Sequence, residues 1–193
     1  MNRIIVITAA SFLPSEAEAL VALLDAKAFR VHVRKPEATA EEVRSLIRQI
    51  PQDYHIYLSL HDHFELASEF EGIGIHLNSQ YPEAPSGFDQ CISLACHSSE
   101  ELEKNKPYCY YVTMGPILEG ALSKEELTRL SYAAIVDGKV FAEGTITPET
   151  MQTVCRIGFG GACVSDYLWQ PYQADADCAA LVARLTELQN ITL

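Results

Sequence analysis

Short runs of β-branched and other apolar residues recur along the chain, at positions 3–8, 29–33, 56–60, 73–77, 92–95, 110–114, 140–142 and 162–165. Longer amphipathic segments that open on acidic residues lie between them. This alternation is that of βα units, because one parallel strand reaches the next only through a crossover, usually a helix. The helix starts are written into the connections. Thr39 with Glu42, Ser98 with Glu101 and Ser123 with Glu126 fit the S/T-x-x-E capping box, in which two side chains satisfy backbone N–H groups reciprocally. Thr147 precedes Pro148, an N-cap followed by proline in the first helical position, and Gly158 ends the segment 151–157 as a helix-terminating glycine. Residues 78–90 hold two prolines and a glycine with little helical periodicity, so one helix is expected to be reduced there.

Eight strands alternating with helices either close into a (β/α)8 TIM barrel or lie open as a doubly wound sheet. The strand count favours the barrel, as a single domain over residues 1–193, although about 200 residues is the usual lower end for that fold. An open sheet more often carries a glycine fingerprint after its first strand, and IIVITAA is followed by none. A hydrophobic content of 48% with 21% charged residues is that of a globular chain. The net charge of −12, without any basic block, argues against nucleic acid as a partner, since phosphate-backbone binding needs clustered cations. No apolar run reaches the ~18 residues of a membrane span, and the first run is read as a strand rather than a leader, so the expected location is cytoplasmic. Of the six cysteines no two are spaced C-x-x-C, and most are expected to be core thiols.

In a barrel the chemistry comes from the C-terminal ends of several strands, and here those ends are polar. They read His32-Val33-Arg34-Lys35-Pro36, His61-Asp62-His63, His76-Leu77-Asn78, Cys96-His97-Ser98, Gly115-Pro116, Glu143-Gly144-Thr145 and Ser165-Asp166. Each has a bland reading beside the functional one. Arg34 is a ligand clamp or a surface ion-pair partner; Asp62 is a metal ligand or the N-cap of a helix over 64–70. His76, pointing inward by strand alternation, reads first as a core histidine. Lys124 sits among Glu125 and Glu126 and reads as a helix-surface ion pair unless its loop folds over the site. Gly144, Thr145 and Ser165 are turn residues or, since barrels commonly bind phosphate after strands seven and eight, phosphate ligands. Tyr108, Tyr110, Tyr111 and Trp169 are expected to pack in the core or helix shell.

In this order along the chain, His32 to Pro36 resembles the QLREK element of the thiamine phosphate synthase family, SLHDH with GIGIHLNSQ resembles its IND…GVHLGQ, and LACHSSEEL its VSCHSLEE. YYVTMGPI, VFAEGTITPETM and GFGGACVSDYLW resemble the family's GPI element, its GGI phosphate loop and its last strand. The resemblance implies a barrel enzyme of thiamine biosynthesis, a transferase that joins hydroxymethylpyrimidine diphosphate to thiazole phosphate and uses Mg²⁺. It implies that Arg34 contacts the pyrophosphate, with Lys35 beside it because the family's lysine falls on Pro36. It implies that Asp62 binds magnesium, while the asparagine before it is His61, counted among the substrate-binding positions, and the second magnesium aspartate falls on Tyr81. Lys124 is the nearest match to a loop lysine. Gly144 falls on the first glycine of the GGI loop and Thr145 replaces the second, both still expected to bind phosphate, and the Glu143 side chain is expected to point away from the ligand. His97 falls where the family's thiazole tautomerases carry a proton-shuttling histidine, and an imidazole suits proton transfer at neutral pH. His97 and Arg34 are therefore the expected catalytic residues. The alternatives are an isomerase working through His97 and a non-catalytic barrel that binds the phosphate ligands. The expected partners are small phosphate substrates, and a homo-oligomer stays open.

Overall fold

The computed structural model describes residues 1–117 and 135–192. Eight strands stand among these residues: β1 Arg3–Ile7, β2 Arg30–Val33, β3 Leu58–Leu60, β4 Gly74–Leu77, β5 Ile92–Cys96, β6 Tyr111–Met114, β7 Val140–Ala142 and β8 Gly161–Val164. They pair in sequence order and close into a barrel, β1 meeting β8 in parallel from Arg3↔Gly161 to Val6↔Val164. The architecture is the (β/α)8 barrel expected from the alternation.

The described helices are α1 Glu16–Asp25, α2 Ala40–Arg48, α3 Ser99–Asn105, α4 Pro148–Ile157, α5 Asp166–Asp175 and α6 Cys178–Asn190. The capping signals act as read at two of them. Thr39 and Glu42 form a reciprocal box on α2, and Thr147 caps α4 with Thr150 as its partner. Gly158 ends α4 with φ 100°, a conformation that favours glycine. The Ser123–Glu126 signal lies outside the described residues. The connection from β4 to β5 carries no helix, as expected, and the one from β3 to β4 is reduced too, to the single 3₁₀ segment Phe64–Ser68. That segment corrects the reading of Asp62 as a helix cap: its N-cap is His63, with no side-chain cap bond. β3 is also shorter than the apolar run 56–60, because residues 52–57 turn as a 3₁₀ helix that leaves Ile56 and Tyr57 exposed.

Strand alternation sorts the two faces of the barrel. Ile4, Val6, Val31, Val33, Leu58, Leu60, Val112 and Val140 face the helices and form one continuous core with Leu20, Leu23, Ile47, Val154 and Leu185. Their alternating neighbours Ile5, Arg30, His32, Ser59, His76, Ser93, Tyr111, Thr113, Phe141 and Cys163 are buried on the other face, the barrel interior, which is largely polar. The floor is closed by Phe29 stacked on Phe141 at 5.0 Å, with the Arg3 guanidinium over both rings. Tyr111 and Trp169 are buried as expected, whereas Tyr108 and Tyr110 project to solvent. All six cysteines are free, with Cys96, Cys109 and Cys163 buried. No described helix is long and apolar enough to cross a membrane.

Candidate active site

At the C-terminal ends of the strands a cavity of about 710 Å³ opens, within the range of small-molecule sites. Five of the residues selected from the sequence line it: Arg34 after β2, His97 after β5, Gly144 and Thr145 after β7, and Ser165 after β8. Lys35, His61 and Asp62 are absent from its wall, and Lys124 lies outside the described residues.

The wall from β5 to β8 is built largely of backbone. Gly144 has φ 147°, a value that L side chains rarely adopt, and the chain then runs through Thr145 and Ile146 into the N-terminus of α4. At the first turn of α4 the Thr147 N–H is taken by Thr150 Oγ1, the Thr150 N–H by Thr147 Oγ1, and Pro148 has none. Ser165, at the head of α5, makes no side-chain cap bond. Gly115 permits the close approach of β6 to β7: a Cβ there would meet the Glu143 carbonyl at 2.6 Å. Glu143 itself corrects the expectation that it turns away. It lines the cavity, and its carboxylate accepts a hydrogen bond from the buried Thr113 hydroxyl at 3.0 Å.

His97 is held in one tautomer. Its Nδ1–H donates to the Gly115 carbonyl at 2.9 Å, because a carbonyl can only accept, and so Nε2 keeps a lone pair. Its backbone N–H donates to Glu101 Oε2 at 2.8 Å. Glu101 thus reaches one residue beyond the Ser98 it was expected to box, while Ser98 Oγ still accepts from the Glu101 N–H.

At the ends of β2 to β4 the polar groups are side chains, and of those selected only Arg34 lines the cavity. The Arg34 side chain is exposed and has no carboxylate within ion-pair distance among the described residues, while its backbone exchanges two hydrogen bonds with Thr8. Lys35 corrects its reading as a phosphate ligand. It is fully buried, and its ammonium is spent on Glu16 at 2.6 Å and on the carbonyls of Ala9 and Ser11, both at 2.9 Å. Burial lowers its pKa, opposed by the Glu16 carboxylate. Asp62 is buried with Oδ1 lacking any hydrogen-bond partner, and burial raises its pKa against the pull of His63. The position of the family's second aspartate is Tyr81, a partly exposed phenol packed on Phe64.

His61 turns toward His32 and His76 instead of the cavity. His32 Nδ1 and His61 Nε2 are 2.8 Å apart, and the three ring centroids lie 4.5–4.9 Å from one another. Burial drives all three pKa values down, His76 to about 3 and the other two well below the usual range. The rings are therefore neutral at physiological pH. Sequence reasoning selected two of these residues singly and missed the cluster, although three histidines at the ends of consecutive parallel strands must approach one another once the strands are in register.

The sequence model of the thiamine monophosphate synthase family matches residues 4–168. The thiamine-phosphate synthase of Shouchella clausii (strain KSM-K16) is 25% identical over 182 residues, covering 88% of this chain and 87% of that protein. A crystal structure of thiamine phosphate pyrophosphorylase from Bacteroides thetaiotaomicron superposes with a TM-score of 0.89 at 35% identity, over 96% of this chain and 95% of that one. The thiamine phosphate pyrophosphorylase of Pyrococcus furiosus, 19% identical with a TM-score of 0.72 over 96% of both chains, shares the fold. By sequence and by structure, the chain belongs to the thiamine monophosphate synthase family.

Proposed function

We propose that the protein is a transferase of thiamine biosynthesis that joins a pyrimidine diphosphate to thiazole phosphate. The observation that carries this reading is a single cavity lined on one side by Arg34, whose guanidinium has no carboxylate partner among the described residues, and on the other by the turn Gly144 to Ile146 with Ser165. Two anionic substrates need two such subsites within one reaction distance.

In the reaction the bond from the pyrimidine methylene carbon to the diphosphate oxygen breaks, its electron pair leaving on the diphosphate. The thiazole nitrogen supplies the pair for the new C–N bond. Arg34 stabilises the charge that grows on the leaving group, and the turn after β7 with Ser165 fixes the thiazole phosphate. Asp62, with one buried carboxylate oxygen that makes no hydrogen bond, would be the one protein carboxylate to hold magnesium. Magnesium, when bound, neutralises the charge of the diphosphate. Glu143 on the same wall disfavours anions beside it, so the phosphate sits toward Thr145 and Ser165.

His97 favours a second reading, thiazole tautomerisation. With Nδ1 held by the Gly115 carbonyl, Nε2 is the atom that would take a proton from one ring position and return it to another, without metal or diphosphate. A coupled assay of the purified protein with both substrates, with and without Mg²⁺, tests the choice. Thiamine phosphate at catalytic rates, lost in Asp62→Ala, supports the transferase. Absence of product together with metal-independent tautomerisation, lost in His97→Ala, replaces it with the isomerase.

A further inference from the structure

We infer that His32, His61 and His76 form a buried three-imidazole site for a d-block divalent cation of the zinc class, separate from the magnesium position at Asp62. One ligand nitrogen from each ring lies within 4.8 Å of the other two. A zinc ion holds imidazole nitrogens at about 2.0–2.1 Å, which puts neighbouring nitrogens about 3.3–3.4 Å apart on a tetrahedron. The His32–His61 pair, now 2.8 Å apart, has only to open by roughly half an ångström, its hydrogen bond giving way to two metal bonds.

The surroundings hold the outer nitrogens of His32 and His76. Ser93 Oγ donates its proton to the Ile75 carbonyl at 3.2 Å and so accepts from His76 Nδ1–H at 2.8 Å, leaving a lone pair on His76 Nε2. His32 Nε2 pairs with the Tyr111 hydroxyl, which continues to Ser59 Oγ at 3.3 Å, itself an acceptor from Arg30 Nε at 2.7 Å. With His32 Nε2–H donating outward along that chain, Nδ1 presents a lone pair toward His61. The proton that His61 Nε2 donates to His32 in the metal-free form moves to His61 Nδ1 when a metal enters. The site then binds through one tautomer change, on the one ring that is partly exposed, with no net release of a proton. Such outer partners are the usual support of a metal-binding histidine.

The ligand chemistry selects the ion. Three neutral imidazoles favour zinc, copper, nickel or cobalt, whereas magnesium takes oxygen ligands. None of the three rings pairs with a carboxylate among the described residues, so a dication there keeps its full charge below Arg34 and Asp62. The sequence adds an independent observation. His32 stands where the family string QLREK has glutamine, and His61 where IND has asparagine, so two of the several departures from those strings fall in the same cluster. The inference does not rest on which reaction the cavity performs.

Chelator-treated protein titrated with Co²⁺ tests it. We expect one ion bound per chain with the visible absorption of a four-coordinate cobalt centre, displaced by Zn²⁺. Affinity should fall by at least roughly 100-fold in both His61→Asn and His32→Gln, which restore the residues of the family strings. Melting of the metal-free variants, followed by circular dichroism, shows that each is folded. Absence of saturable visible absorption in the wild type, or the same absorption and affinity in either folded variant, overturns the proposal.

Discussion

The two sides of the barrel mouth, β5 to β8 and β2 to β4, are made of different materials. From β5 to β8 the cavity is lined by the backbone turn at Gly144, with φ 147°, and by Ser165, whose side chain makes no cap bond. From β2 to β4 the polar groups are side chains: Arg34 lines the cavity, whereas Lys35 is withdrawn into an ion pair, Asp62 is buried and His61 faces inward. Backbone donors survive substitution because every residue but proline supplies an N–H. Side-chain donors change with each codon. The difference teaches that side chains at a strand end can be drawn off by partners of their own, here into an ion pair and a buried imidazole cluster, while a backbone turn keeps its place on the cavity.

Three experiments press on that contrast. The largest effect is expected from Lys35→Met, which leaves Glu16 buried without its partner. Chemical denaturation should show a loss of about 3–5 kcal/mol, the usual consequence of breaking a buried ion pair from one side. A variant as stable as the wild type would mean that Lys35 is free to move to the cavity, and the two walls would be more alike than described.

The histidine cluster gives a pH dependence. His32, His61 and His76 have folded pKa values below the unfolded value of about 6.5, so below that pH the unfolded chain binds more protons. Their contribution is therefore complete above about pH 6.5 and is lost as pH falls toward the folded values, about 3 for His76. For the metal-free protein the three together should cost about 2 kcal/mol between pH 7.5 and 6.0. Arg30 and Arg34, the nearest fixed charges, act in the same direction. In His76→Asn the pH slope of stability over that interval should fall by about a third, and an unchanged slope would place the titration elsewhere.

The smallest effect belongs to the backbone wall. Thr147→Ala removes the α4 cap and its link to Thr150, a loss of about 1 kcal/mol by thermal melting. Weaker binding of thiazole phosphate should accompany it by only a few-fold, since the N–H groups remain. A collapse of binding would show that the side chain, not the backbone, makes the subsite.

The strands were legible in the sequence because barrel strands are buried on both faces and read as apolar runs with sharp borders. Where the border failed, at Ile56 and Tyr57, a 3₁₀ turn places apolar side chains in solvent, which hydrophobicity alone does not reveal. The site positions were legible because strand C-termini converge whatever the loops do. Side-chain directions were less so. Lys35 is claimed by Glu16, nineteen positions away, and Glu143 is turned inward by Thr113 from the neighbouring strand. The imidazole cluster depends on the register of β2, β3 and β4, which is a property of strand pairing and of no single segment.

The division between the walls is tested most directly by steady-state kinetics of Arg34→Ala with each substrate varied in turn. Removing a transition-state donor of this kind should lower kcat by about 10²–10³-fold, and raise KM for the pyrimidine diphosphate while KM for thiazole phosphate stays within a factor of about two of the wild type. An equal rise in both KM values, or full activity, would contradict an Arg34 wall that serves the diphosphate and a backbone wall that serves the phosphate.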